Sequence, residues 1–151
     1  MSLLTPMLRS SPLTDWFSDA QRVQGMLDFE AALAQAQAAC GMVPPEAVGP
    51  IVAACRHEAI DFAALGEAAV GAGNLAIPLV KQLTAQVKAQ DPEAARYVHW
   101  GATSQDAIDT GLVLQLRGAL DAAETLLEQL LAALALQADR YRDAVMPGRT
   151  W

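Results

Sequence analysis

From Ser104 to about Val145 the sequence keeps a helical apolar period without a proline. A run of roughly 40 residues at 1.5 Å per residue makes a rod about 60 Å long. A folded chain of 151 residues has a radius of gyration of about 15 Å, hence a diameter near ~40 Å. The helix is therefore longer than the rest of the chain can cover, and it must project. Its apolar residues do not make one narrow stripe. Leu112, Leu116, Leu120, Leu127, Leu130 and Leu134 face one way, and Leu114, Leu126, Leu131 and Leu136 widen the surface. Such a helix needs partner helices that the preceding residues do not supply. Gly111 and Gly118 permit close helix contact at some cost in helix propensity. Self-association through this helix is the expectation.

Upstream, the segments are shorter and punctuated. Residues 1–13 carry Pro6 and Pro12 and are expected to be irregular, with one turn over Thr14–Phe17. Ser18-Asp19-Ala20-Gln21 reads as a capping box. The helix it opens runs to about Cys40, with Val23, Met26, Leu27, Glu30, Leu33, Ala34 and Gln37 on one largely apolar face. Gly41 suits the left-handed position that closes it, and Pro44 lies just beyond. Pro45 and Glu46 start a short helix to about Arg56, and Asp61 caps another over 62–70. Gly71–Asn74 is a turn cluster. Residues 75 to about 90 are helical, with Ile77, Val80, Leu83 and Val87 on one face, and Asp91-Pro92 ends them. No segment alternates as a strand does. The fold class is all-α.

Hydrophobic residues make up 53% of the chain, which excludes a disordered protein. The net charge of −7 argues against nucleic acid or an anionic membrane surface as a partner. An anionic ligand needs local positive potential against that global field. Cys40 and Cys55 fit no metal spacing and read as reduced, small apolar residues. The first ten residues lack the pattern of a signal peptide, and no uncharged apolar run is long enough to span a membrane, so a cytoplasmic protein is expected. His57 has no motif around it and reads as a surface residue.

The chemistry concentrates at the start of the long helix. His99, Trp100, Gly101, Thr103, Ser104, Gln105, Asp106, Asp109 and Thr110 fall in one short run. Thr103, with Asp106 three residues on, reads as a capped helix start. Such a start presents unpaired N–H groups and a partial positive charge, which suits a carboxylate or a phosphate. His99, just upstream, adds a donor or a proton. The same residues also describe an ordinary capped helix preceded by a satisfied histidine, and the local pattern does not separate the two.

The run from His99 to Thr110 resembles the first signature region of the fumarase/aspartase (fumarate lyase) superfamily, which in adenylosuccinate lyases reads H-[YFW]-G-x-T-S-x-D-x-x-[DN]-T. Gly148-Arg149-Thr150-Trp151 is similar to the second signature, G-R-T-H, but Trp151 replaces the histidine assigned there as general acid. Asn74, in Gly73-Asn74-Leu75, stands where those lyases carry R-H-D. With both departures, and with the runs Gln24–Ala34, Gly73–Lys81 and Arg96–His99, the chain resembles the bacterial cycloisomerase branch that acts on 3-carboxy-cis,cis-muconate.

The resemblance implies residues 1–100 as an N-terminal helical domain and 101–151 as the first long helix of a central bundle. It implies a cofactor-free isomerisation in protocatechuate (β-ketoadipate) catabolism, with no metal. A carboxylate of a small tricarboxylate substrate adds across a conjugated double bond to close a lactone, and a proton goes to the neighbouring carbon. Carried over by position, His99 is the candidate catalytic residue, and Thr103, Ser104, Asn74, Arg149 and Thr150 are candidate substrate contacts. Asp106, Asp109 and Thr110 are read as structural. The family forms homotetramers whose sites combine three subunits. Its third signature, a G-S-S-x-M-P-x-K-x-N loop, is not among these residues, so a truncated chain, inactive alone, is expected. A fumarate-releasing lyase of the adenylosuccinate lyase type, and a non-enzymatic helical oligomerisation module, are the alternatives.

Overall fold

Ser18 starts the first long helix as its spacing predicts. Its hydroxyl accepts from the Gln21 N–H at 3.3 Å, and α1 spans Asp19–Ala39. The computed structural model describes residues 11–148, so Arg149, Thr150 and Trp151 lie outside the described residues. Gly41, at φ 71°, closes α1. The Met42 N–H reaches the Gln37 carbonyl and the Gly41 N–H that of Ala38, the paired bonds of a Schellman end. Next come α2 (Pro45–Ala54), α3 (Phe62–Ala72) and α4 (Ala76–Gln90). The long helix, α5, spans Ser104–Arg140. Among the described residues there is no strand.

Three details depart from expectation. A 3-10 helix covers Pro12–Phe17, longer than the single turn expected, because Ser11 caps it and Pro12 fits its first position. The buried stripe of α4 is Ala76, Leu79, Leu83 and Val87, while Ile77 is 39% exposed and Val80 only half-buried. Both stripes have 3–4 spacing, and the neighbouring elements select the one beginning at the smaller residue. Helix α5 ends at Arg140 rather than near Val145, with Tyr141 as its C-cap and Arg140 lying over the Tyr141 ring.

The core lies between α1, α2, α4 and the turn around Ala94 and Ala95. Leu27, Ile51, Leu79 and Leu83 are its largest fully enclosed side chains. Helix α5 crosses α1 at a glycine pair. A Cβ on Gly25 would lie 2.8 Å from the Gly111 carbonyl oxygen, and one on Gly111 would lie 2.9 Å from the Met26 nitrogen. Farther along, the Trp16 ring occupies the space over Gly118, and the helix runs through without a break. The stripe of α5 that the chain buries is Ala107, Gly111, Gln115 and Ala119. The leucines point elsewhere: Leu120, Leu127, Leu130, Leu131, Leu134 and Leu136 are all more than half exposed.

Candidate functional site

The loop between α4 and α5 carries the site, and two side chains of α1 hold it. Glu30 and Gln37 are seven residues apart and share one face of α1. Glu30 Oε1 lies 2.6 Å from His99 Nδ1, and Gln37 Nε2 donates to the Trp100 carbonyl at 2.6 Å. Both α1 side chains are buried, Glu30 at 2% exposure. His99 has φ 56°, a conformation that an L-residue with a large side chain adopts only when its surroundings enforce it. Gly101, also at positive φ, then turns the chain into the helix start. The Trp100 ring packs near the Tyr97 ring, with centroids 5.9 Å apart.

Thr103 is the N-cap of α5 in a complete capping box. Its hydroxyl accepts from the Asp106 N–H at 3.4 Å, and its own N–H donates to Asp106 Oδ2 at 2.8 Å. The Thr103 hydroxyl also donates to that carboxylate at 3.0 Å. These bonds hold the Asp106 carboxyl below its ordinary range, the Thr103 N–H foremost. The expected structural role of Asp106 is therefore seen directly. The hydroxyl of Ser104, and the N–H groups of Ser104 and Gln105, take no partner among the described residues. They are the donors this helix start presents.

Asn74 caps α4: its Oδ1 accepts from the Ile77 N–H at 3.1 Å, so its Nδ2 is the group left to face a ligand. It lines a cavity of about 280 Å³ with Arg22, Met26, Leu75, Ile108, Leu112 and Gln115. Ile108 follows Ser104 by one helical turn, which puts this cavity on the flank of the same helix start. Arg22 supplies a positive charge there, against a net charge of −7 for the chain.

Three residues escaped the sequence reading: Glu30, Gln37 and Arg22. The first two carried a signal, a carboxylate and an amide on a stripe otherwise apolar. Burial pushes the Glu30 carboxyl up, while the bond to His99 and its charge pull it back. Glu30 Oε2 and Gln37 Oε1 are buried without a hydrogen-bond partner among the described residues. His57 is not a plain surface residue, because its N–H and ring Nδ1 both approach Gln24 Oε1. Cys55 is a buried free thiol whose pKa is pushed up to about 12, chiefly by burial, and Cys40 is also free. Among the described residues no three His, Cys, Asp or Glu side chains group to hold a metal ion. No helix there is long and apolar enough to cross a membrane.

A family model described as lyase matches residues 8–151. The chain belongs to this lyase family. Among the family's curated members, the 3-carboxy-cis,cis-muconate cycloisomerase of Bradyrhizobium diazoefficiens is 54% identical over 149 residues, 99% of this chain and 33% of that protein. The enzyme of the same name from Pseudomonas aeruginosa is 60% identical over 142 residues, 94% of this chain and 31% of that protein. The crystal structure of 3-carboxy-cis,cis-muconate lactonizing enzyme from Pseudomonas putida superposes with a TM-score of 0.93 at 53% identity, over 99% of this chain and 34% of that one. The chain thus spans about a third of the length of the curated relatives it matches. The all-α fold expected from sequence is the fold of that lyase family.

Proposed function

We propose that the whole protein is a cycloisomerase that converts 3-carboxy-cis,cis-muconate to a carboxymuconolactone in protocatechuate catabolism, and that this chain supplies the first signature region of its site. The observation that carries this reading is the identity of 54% and 60% with relatives so named, over 99% and 94% of this chain. Lactone closure changes no oxidation state, and the resemblance implies a reaction without cofactor or metal in which the proton added to carbon comes from a protein donor. Ser104 and the open N–H groups after Thr103 hold a substrate carboxylate, and Arg22 and the Asn74 amide add donors on the same flank. Charge develops on a carboxylate-stabilised carbon in the transition state, and donors fixed before the reaction stabilise it most. His99 delivers the proton or orients the group that does. Arg149 and Thr150 complete the substrate contacts from the second signature. Residues 1–100 form the N-terminal domain, and 101–151 begin the central bundle of a cytoplasmic homotetramer.

Turnover of 3-carboxy-cis,cis-muconate and of adenylosuccinate by the full-length enzyme tests this directly. Lactone formation alone is the expected result, and fumarate release from adenylosuccinate would replace the reading with that of a lyase. The 151 residues by themselves are expected to convert neither. Ser104→Ala removes a donor from a charged oxygen, a bond of about 1.5–3 kcal/mol, so kcat/KM should fall roughly ten- to hundred-fold.

The exposed leucines of α5 line a shallow apolar groove formed by Leu120, Ala123, Leu127 and Leu131, with Glu124 and Glu128 at its edges. A helix from a second copy fits such a surface. Sedimentation velocity at micromolar concentration should show association. A monomer with its helix intact would remove this surface as the assembly face.

A further inference from the structure

We propose that Glu30 is a positioning residue for His99: it holds the ring with Nδ1 turned into the protein, so that Nε2 is the nitrogen offered to the substrate. This rests on the reading that His99 meets the substrate. The geometry is over-determined. Nδ1 lies 2.6 Å from Glu30 Oε1, a separation that requires a proton between the two atoms. Flipping the ring would take that proton away from a carboxylate that is 2% exposed and whose other oxygen already lacks a partner. A buried carboxylate with neither oxygen bonded is strongly disfavoured, so Glu30 holds the ring in one orientation. Among the described residues Glu30 is the side chain that Nδ1 meets. The titratable groups around the pair are Asp28 on α1, the Cys55 thiol at the end of α2, held neutral, and Asp106 at the start of α5, already engaged by Thr103. Nε2 has no partner among the described residues, and the His99 side chain keeps 16% of its surface exposed.

The arrangement fixes the ring tautomer as well as its direction. With the shared proton on the Nδ1 side, Nε2 exchanges a proton with the substrate while Nδ1–H stays on Glu30. The donor form is the imidazolium, with Nδ1–H on Glu30 and Nε2–H towards the substrate. Nε2 gives its proton to carbon, the ring is left neutral with Nδ1–H in place, and Nε2 regains a proton from solvent afterwards. Second carboxylates that orient a catalytic imidazole have the same logic in hydrolases.

Glu30→Gln in the full-length enzyme separates positioning from simple support. The amide keeps the shape but accepts from Nδ1–H or donates to bare Nδ1 equally well, so the tautomer is no longer imposed. The expected results are a fall in kcat of roughly a hundredfold, the lower end of what general acid–base catalysis contributes, and little change in KM. In ¹⁵N-histidine NMR, His99 should show one bridging and one outward nitrogen in the parent and averaged nitrogens in the variant. Glu30→Asp, too short to reach Nδ1, should lose kcat as well. In a His99→Asn background Glu30→Gln should cost no further kcat. Wild-type kcat in Glu30→Gln, an unchanged His99 tautomer, or the same loss repeated in the His99→Asn background would each overturn the proposal. If the parent enzyme does not turn over 3-carboxymuconate, the functional reading fails, and the NMR comparison still decides the role of Glu30.

Discussion

His99→Asn in the full-length enzyme should lower kcat by roughly a hundredfold or more, with KM changed far less, because general acid–base groups contribute about 10²–10⁴ in rate. Asparagine is the informative replacement. It tolerates the left-handed backbone better than other polar residues, so the φ of 56° at this position is kept and the loop stays in place. What is lost is a ring nitrogen able to exchange a proton. Near-normal kcat in a folded His99→Asn enzyme would reduce His99 to an anchor for the loop. Thermal unfolding of the variant provides the control, and steady-state kinetics on 3-carboxy-cis,cis-muconate provides the readout.

Gly111→Ala is expected to destabilise the fold by about 1–3 kcal/mol despite placing a better helix former in a helix interior. The alanine methyl would sit 2.9 Å from the Met26 nitrogen, and the contacted atom is backbone that cannot swing aside. The helix-propensity gain of about 1 kcal/mol offsets only part of this. Urea unfolding of the single variant measures the sum. Gly25→Ala should behave alike, since its methyl would meet the Gly111 carbonyl at 2.8 Å. Full stability in both variants would mean that the two helices separate at this crossing without loss.

Helix starts were the most legible part of the fold. Ser18, Asp61 and Thr103 each announce a helix through a side chain that caps its own neighbourhood, and each does so here. The signal is local, so the sequence holds it. Faces were less legible. Ile77 is the more apolar residue, yet Ala76 is the one enclosed, because the space beside α4 decides and the sequence does not record that space. The Thr103–Ser104 helix start was readable for the same local reason as any cap. The support beneath it was not, because Glu30 meets His99 across a separation of 69 residues. A carboxylate at that point of an apolar stripe shows only that a partner must exist. The partner of Gly111 was hidden in the same way: a glycine in a helix permits close approach without saying to what.

The glycine crossing divides α5 unequally. Ser104 lies seven residues before Gly111, a short arm of about 10 Å, whereas Arg140 lies at the end of a long arm of about 44 Å. A tilt of about 5° about that fulcrum moves the short end by roughly 1 Å and the long end by roughly 4 Å, in proportion to those arms. Clamping the leucine-rich arm between other helices therefore steadies the Ser104 end with about fourfold leverage. A misplacement of 1 Å can cost about a hundredfold in rate, so a loosened contact near Leu131 would be felt at Ser104, far outside the reach of any direct interaction.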